Sequence, residues 1–333
     1  GAESVNSAAA LWTRPKKDIS DDQYKEFYHH VAHSFDEPWL TLHNKAEGRL
    51  EYTNLLFIPT SKPHDLFDPA RKHGVKLYVK RVFITDDCQE LMPAWMRFVR
   101  GIVDSQDLPL NISREMLQHN PVVTKIRSAL IKRVLGELEK KAAKTPTDFA
   151  IFWENFGAVL KEGIYEDADC RDRLVELLHC HSTVGEQLVN LADYVERMKD
   201  GQKEIFYISG ENMEALRNSP QIEGLMARDV EVLLFDDPVD EFWTGVVREY
   251  KGKSFRSVTR GDIDLTNLGI NSDDTEEKKE SGSDDNVASL IGVFKLALGE
   301  AVADVRSSIR LTNSPVCLVA DEGAIDIHLE RLL

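Results

Sequence analysis

The apolar positions of this chain follow two rhythms, one helical and one extended. Tyr24, Phe27, Tyr28 and Val31 recur at helical spacing behind Ser20, a candidate N-cap, and the acids Asp21 and Asp22. That pattern predicts a helix over 20–33. Two β-rich runs, 50–58 and 75–84, flank a loop of Pro, His and Asp residues and predict strands. Pro93 opens a short helix carrying Trp95, Phe98 and Val99. Asn120-Pro121 predicts another helix start, after which Val123, Ile126, Leu130, Val134 and Leu138 form a long amphipathic stripe.

The rhythm then changes. A helical stretch over about 147–200 carries Phe149, Phe152, Trp153 and Phe156 as packing residues. Two short strands, 204–208 and 230–235, are separated by a helix-length segment, the spacing of a βαβ crossover. Residues 271–286 hold seven acids, two lysines and no apolar side chain, which predicts a solvated, wholly or partly disordered linker. A helix over about 287–299, two strand-like runs ending at Ala320 and a last helix from about Gly323 to the final residue complete the pattern. The fold class is α/β in layers, of α+β type. Its parts are a short linker remnant (1–10), a large α/β part (11–145), a helical connector (146–200), a small α/β unit (201–268), the acidic linker (269–286) and the start of a further α/β domain (287–333).

Composition narrows the functions. With 333 residues the chain is long enough for two or three cores. Its net charge of −16 argues against nucleic acid, whose phosphates need a basic surface. The one basic helix, with Lys125, Arg127, Lys132, Arg133, Lys140, Lys141 and Lys144, reads as a solvated face. Cys88, Cys170, Cys180 and Cys317 are widely spaced, so neither a disulfide framework nor a zinc site is indicated, and free thiols in a reducing cytoplasm are expected. No apolar run has the length of a membrane span, and no signal peptide is visible. His29, His30 and His33 with Glu26 lack the H-E-x-x-H arrangement. Gly252-Lys253-Ser254 lacks the glycine spacing of a P-loop, and Asn111-Ile112-Ser113 is a formal sequon only. No metal site is expected.

The segment from Ser105 to Gln118, SQDLPLNISREMLQ, carries the chemistry. Ser113 is a candidate N-cap whose hydroxyl would accept a free backbone N–H, and Glu115 suits the positive end of a helix. Arg114 then stands at the first helical position, where a cation opposes the helix dipole by a few tenths of a kcal/mol. On spacing alone, a surface arginine of an ordinary loop is the simpler reading. A guanidinium held there to reach a phosphate is the sharper one.

LPLNISREMLQ resembles the catalytic loop of the heat-shock protein 90 chaperones, most closely the bacterial HtpG branch. Leu11-Trp12-Thr13-Arg14, the run EYTNLLFIP at 51–59 and the run KLYVKRVFI at 76–84 resemble the same family's middle domain, in its order and spacing. Weaker resemblance continues to the last residue, while nothing resembles the family's N-terminal nucleotide-binding domain. The resemblance implies a middle domain of ribosomal protein S5 domain 2-like type, followed by a truncated C-terminal domain. It implies that Arg114 reaches the γ-phosphate of ATP bound on the missing domain, with Gln118 as the loop's second polar residue and Phe83 as the residue the loop packs against. ATP and Mg2+ would belong to the full-length protein, and the chain alone would not hydrolyse ATP. Glu241, Phe242 and Trp243 match the family's client-facing patch. Ile325, Leu329, Leu332 and Leu333 match its client-holding helix, read here as one apolar stripe with Asp326, Glu330 and Arg331 facing elsewhere. Unfolded or partly folded proteins and the protein's own N-terminal domain are the implied partners. The full-length protein would be a homodimer, and this chain a monomer or weak dimer. A nucleotide-independent client-binding module is the alternative function. The related transducer domains of gyrase and mismatch-repair ATPases use a lysine and a different motif.

Overall fold

The computed structural model describes residues 10–71, 74–265, 268 and 285–332, including all their side chains except those of Arg114, Asp285, Asn286 and Leu332. The predicted linker remnant up to residue 9, nearly all of the acidic linker and Leu333 lie outside the described residues. The chain divides into two compact units, Gly1–Leu178 and His179–Leu333.

The first unit opens with short 3-10 turns at Leu11–Thr13 and Lys16–Asp18 and continues into α1 (Asp21–Ala32). The Ser20 side chain accepts from the Gln23 N–H while Gln23 reaches back to the Ser20 N–H, a complete capping box. Strands β1 (Pro38–Ala46), β2 (Tyr52–Pro59), β3 (Val75–Val79), β4 (Val82–Thr85) and β5 (Arg100–Ser105) form one sheet in the order β1-β2-β5-β3-β4. The run 75–84 is thus a hairpin rather than one strand, turning at Lys80 and Arg81, both at positive φ. The helices α2 (Arg114–Leu117), α3 (Pro121–Lys144), α4 (Pro146–Glu166) and α5 (Arg171–Glu176) follow.

Strand β2 is buried along nearly its whole length, as expected of a strand covered on both faces. One face buries Tyr28 of α1 against Leu55, Phe57 and Ile102, with Leu11, Trp12, Phe27 and Tyr78 packed around them. Gly101 in β5 has φ +134, and a Cβ there would overlap the Leu55 carbonyl oxygen of β2. Helix α4 contributes an aromatic row: Phe152 stacks on Trp39 at 4.6 Å and meets Phe98 and Phe156 at 5.8 and 5.3 Å. Asp148 fixes the start of that helix, accepting from Trp39 Nε1 and Lys141 Nζ at 2.8 and 2.7 Å.

The second unit contains β6 (His179–Ser182), β7 (Val189–Asn190), α6 (Leu191–Arg197), β8 (Glu204–Ser209), α7 (Met213–Arg217), α8 (Glu223–Met226), β9 (Leu233–Phe235), α9 (Asp240–Val246), β10 (Glu249–Tyr250) and β11 (Lys253–Ser257). Its six strands run in the order β10-β11-β8-β9-β6-β7. Strands β8 and β9 pair in parallel across α7 and α8, the crossover that the spacing predicted. The stretch 146–200, expected to be all helical, supplies β6 and β7 to this sheet. Phe206, Ile208, Val232, Leu234, Val258 and Leu265 make the core. Tyr194 ties α6 to it: its hydroxyl donates to the Glu231 carbonyl and accepts from the Phe206 N–H.

Beyond these lie α10 (Asp285–Leu298) and α11 (Ile327–Leu332). The two strand-like runs expected before Ala320 are absent, replaced by a single parallel bridge between Ala320 and Arg260. Side chains hold much of that segment instead. Buried Arg310 donates to the Val258 and Gly261 carbonyls at 2.7 and 2.6 Å. The Glu223 carboxylate accepts the backbone N–H groups of Thr312, Asn313 and Ser314 at 2.8, 3.0 and 3.2 Å. Among the described residues no helix is long and apolar enough to cross a membrane.

Candidate functional site

The loop after β5 is anchored at both ends. Ser105 Oγ accepts the Asp107 and Leu108 N–H groups, both at 3.3 Å. The neighbouring strand joins in: Gln106 N–H donates to the Glu51 carbonyl, and Glu51 N–H donates to Asp107 Oδ2 at 2.7 Å. Leu108, Ile112 and Leu117 are buried anchors, whereas Leu110 and Met116 are exposed. The alternation holds the loop down on one side and presents Leu110 and Met116 on the other.

Arg114 occupies the first position of α2, a single turn of four residues. Its backbone is placed as the sequence predicted; its side chain lies outside the described residues. Ser113 has the extended backbone of an N-cap but makes no side-chain cap bond, contrary to the expectation. Its carbonyl accepts the Met116 N–H instead. Gln118 is exposed and directly follows the helical turn. Asn120 then starts α3, its Oδ1 accepting from Val122 and Val123 N–H. Phe83 is half exposed on β4 and meets Tyr78 edge to face at 5.6 Å.

At the other predicted site, in the second unit, the residues separate. Trp243 is fully buried, so it does not form the exposed aromatic patch expected of it. Its indole N–H donates to Asp240 Oδ1 at 2.6 Å, and its ring meets Phe235 and Phe255 edge on. Glu241 is buried too, with Oε1 3.0 Å from His328 Nδ1. Phe242 alone of the three is exposed, at 44%.

The apolar stripe also differs from the prediction. Helix α11 begins at Ile327, so exposed Ile325 precedes it, while Leu329 is half-buried. Asp326, expected to face away, is the buried residue. Its Oδ2 accepts from Ser257 Oγ and Thr259 Oγ1 at 2.6 and 2.5 Å, and its Oδ1 accepts the His328 N–H. The side chain of Leu332 and all of Leu333 lie outside the described residues.

A cleft of about 270 Å³ nevertheless brings Glu241, Ile325 and Leu329 together, with Thr244, Arg260 and Asp326 in its wall. Burial, and then the Asp326 charge, push the Glu241 carboxyl above its ordinary range; the His328 hydrogen bond opposes them. His328, Asp326, Ser257, Thr259 and Arg260 carry no local sequence signal that singles them out. Among the described residues no cluster of His, Cys, Asp and Glu could hold a metal ion.

Comparison with known proteins matches the whole chain, residues 1–333, to the family model described as Hsp90 protein. The chain is 58% identical over 331 residues to the chaperone protein HtpG of Paramagnetospirillum magneticum, covering 99% of this chain and 53% of that one. It is 52% identical over 333 residues to the HtpG of Roseobacter denitrificans, with the same coverage. The chain therefore spans about half the length of these relatives, 53% in each case. Among solved structures, the middle domain of a Plasmodium falciparum protein described as a heat shock protein superposes with a TM-score of 0.67 at 31% identity, covering 75% of this chain and 99% of that one.

Proposed function

The chain belongs to the Hsp90 family, and from that premise we propose that it works as the middle part, with the start of the C-terminal part, of an ATP-dependent chaperone. Arg114 reaches the γ-phosphate of ATP held with Mg2+ on the N-terminal domain of the longer protein. The fork of guanidinium donors meets the negative charge on the transferring phosphoryl group, the role of an arginine finger. Gln118 adds a polar contact from the end of the same turn. The observation that carries this reading is the loop's construction. Bonds from Ser105 and Asp107 and the buried Leu108, Ile112 and Leu117 hold it at both ends, while its middle and Gln118 stand exposed. An arginine on a rigidly based loop loses little entropy when it meets an anion on another domain.

Unfolded or partly folded polypeptide binds at the cleft of Glu241, Ile325 and Leu329, with Phe242 exposed on the adjacent helix α9. Leu332 and Leu333, whose side chains lie outside the described residues, belong to the same proposed client surface. The longer protein acts as a homodimer in the cytoplasm.

The test is ATP turnover by the N-terminal nucleotide-binding domain of the longer protein, with and without an excess of this chain. Stimulation by the wild-type chain that disappears with Arg114→Ala supports the reading. Equal stimulation by both overturns the role of Arg114 and leaves a client-binding module.

A further inference from the structure

We propose that Trp12 is a positioning residue for the Arg114 loop, acting through a hydrogen bond to the buried carboxylate of Asp104. This rests on the reading of Arg114 given above and extends it to what holds the loop in place.

Asp104 is the second-last residue of β5, paired in the sheet with Thr53 of β2 and Tyr78 of β3. Its side chain is 1% exposed. A buried carboxylate must be given hydrogen bonds, and Asp104 finds two uncharged donors. Trp12 Nε1–H donates to Oδ2 at 2.9 Å, and the backbone N–H of Arg81 donates to Oδ1 at 3.1 Å. The next residue, Ser105, accepts the Lys80 N–H on its carbonyl at 3.0 Å and, through its hydroxyl, organises the first turn of the loop. One carboxylate therefore joins three chain segments at the root of the loop: the 3-10 turn at 11–13, the β3–β4 hairpin and β5.

Trp12 is itself held on two sides. Its ring lies 4.9 Å from Tyr78 and 5.9 Å from Phe27. Its carbonyl oxygen is 2.9 Å from His43 Nε2, and His43 Nδ1 is 2.7 Å from the Tyr24 hydroxyl. Burial holds the His43 pKa below its ordinary value, so the ring is neutral, with Nε2–H donating to Trp12 and Nδ1 accepting from Tyr24. The packing contacts would survive loss of the indole N–H; the Asp104 contact would not. A displacement of the 11–13 turn strips Asp104 of its side-chain donor. The freed carboxylate is then driven to turn toward solvent, which releases the Arg81 N–H and loosens the base on which Arg114 stands.

Trp12→Phe keeps an aromatic ring beside Tyr78 and Phe27 and removes the donor together with the second ring of the indole. In this chain, backbone amides of Arg81, Asp107 and Leu108 are expected to exchange about 10-fold faster, the lower range for a lost hydrogen bond to a charged group, with amides of α3 and α4 unchanged. In the full-length protein, kcat for ATP is expected to fall about fivefold with KM unaltered, because the arginine acts after nucleotide has bound. Combined with Asp104→Ala, which leaves no side-chain acceptor, the Trp12→Phe change is expected to add nothing, since the link is already gone. Wild-type exchange and turnover in Trp12→Phe, or additive losses in the double variant, would overturn the proposal. Faster loop exchange in Trp12→Phe together with full turnover in Arg114→Ala would overturn it at its premise, the phosphate role of Arg114. The exchange data keep the two failures apart.

Discussion

His328 Nδ1 lies 3.0 Å from Glu241 Oε1, and both side chains are buried, so the last helix of the chain is bonded to the start of α9. Asp326, two residues before His328, is equally buried and repels the Glu241 charge. Removing the imidazole leaves a buried carboxylate without its partner, which costs about 1–3 kcal/mol. His328→Ala is therefore expected to lower the unfolding free energy by that amount at neutral pH in denaturant titration. Glu241→Gln is expected to cost less, because an amide accepts a hydrogen bond without a charge to satisfy. A larger loss in Glu241→Gln would show that the carboxylate charge stabilises the cluster.

Phe242 and Trp243 are adjacent in sequence and opposite in environment. Trp243→Ala removes a fully buried indole and is expected to destabilise the protein by about 3–5 kcal/mol. Phe242→Ala, at a 44% exposed position, is expected to change stability by less than about 1 kcal/mol. If Phe242 contacts client, its alanine variant suppresses aggregation of an unfolded protein less well at unchanged melting temperature. Full suppression by Phe242→Ala would remove it from the client surface.

Glu223 makes the acid side of the stability curve predictable. The Ser314 hydroxyl, and then the N–H groups of Asn313 and Thr312, lower its carboxyl from an ordinary 4.5 to about 2. A depressed carboxyl contributes its full stability above the unfolded value and loses it as pH falls through the folded one. The melting-temperature difference between wild type and Glu223→Gln is expected to be greatest above about 4.5 and to vanish toward about 2. A difference that persists unchanged at the acid end would show that the carboxylate charge is not what binds residues 312–314.

What could be read in advance depended on whether the determining contacts are local. The α1 and α3 starts were legible because Ser20 and Asn120 cap within three residues of themselves. Strand β1 carries no clear strand pattern: it is an edge strand, mostly half-buried, and its sequence, PWLTLHNKA, mixes polar and apolar positions. The β3–β4 turn was hidden because Lys80 and Arg81, not Gly or Asn, take its positive φ angles. At the sites, the helical turn that starts at Arg114 was legible from its motif, although Ser113 makes no side-chain cap bond. Asp326 looks solvent-facing in the sequence because its partners, Ser257 and Thr259, lie far away along the chain. The burial of Trp243 is hidden for a similar reason: the rings that pack on it, Phe235 and Phe255, belong to two other elements, β9 and β11.

The central claim is that Arg114 stabilises charge on the γ-phosphate during ATP cleavage, and single-turnover hydrolysis by the full-length protein tests it most directly. The account predicts that Arg114→Ala slows the cleavage step about 100-fold with nucleotide affinity little changed, the cost of one lost donor to a developing charge. Arg114→Lys is expected to fall between, since an ammonium keeps the charge but not the fork. Cleavage at the wild-type rate in Arg114→Ala would contradict the account and reduce the loop to architecture.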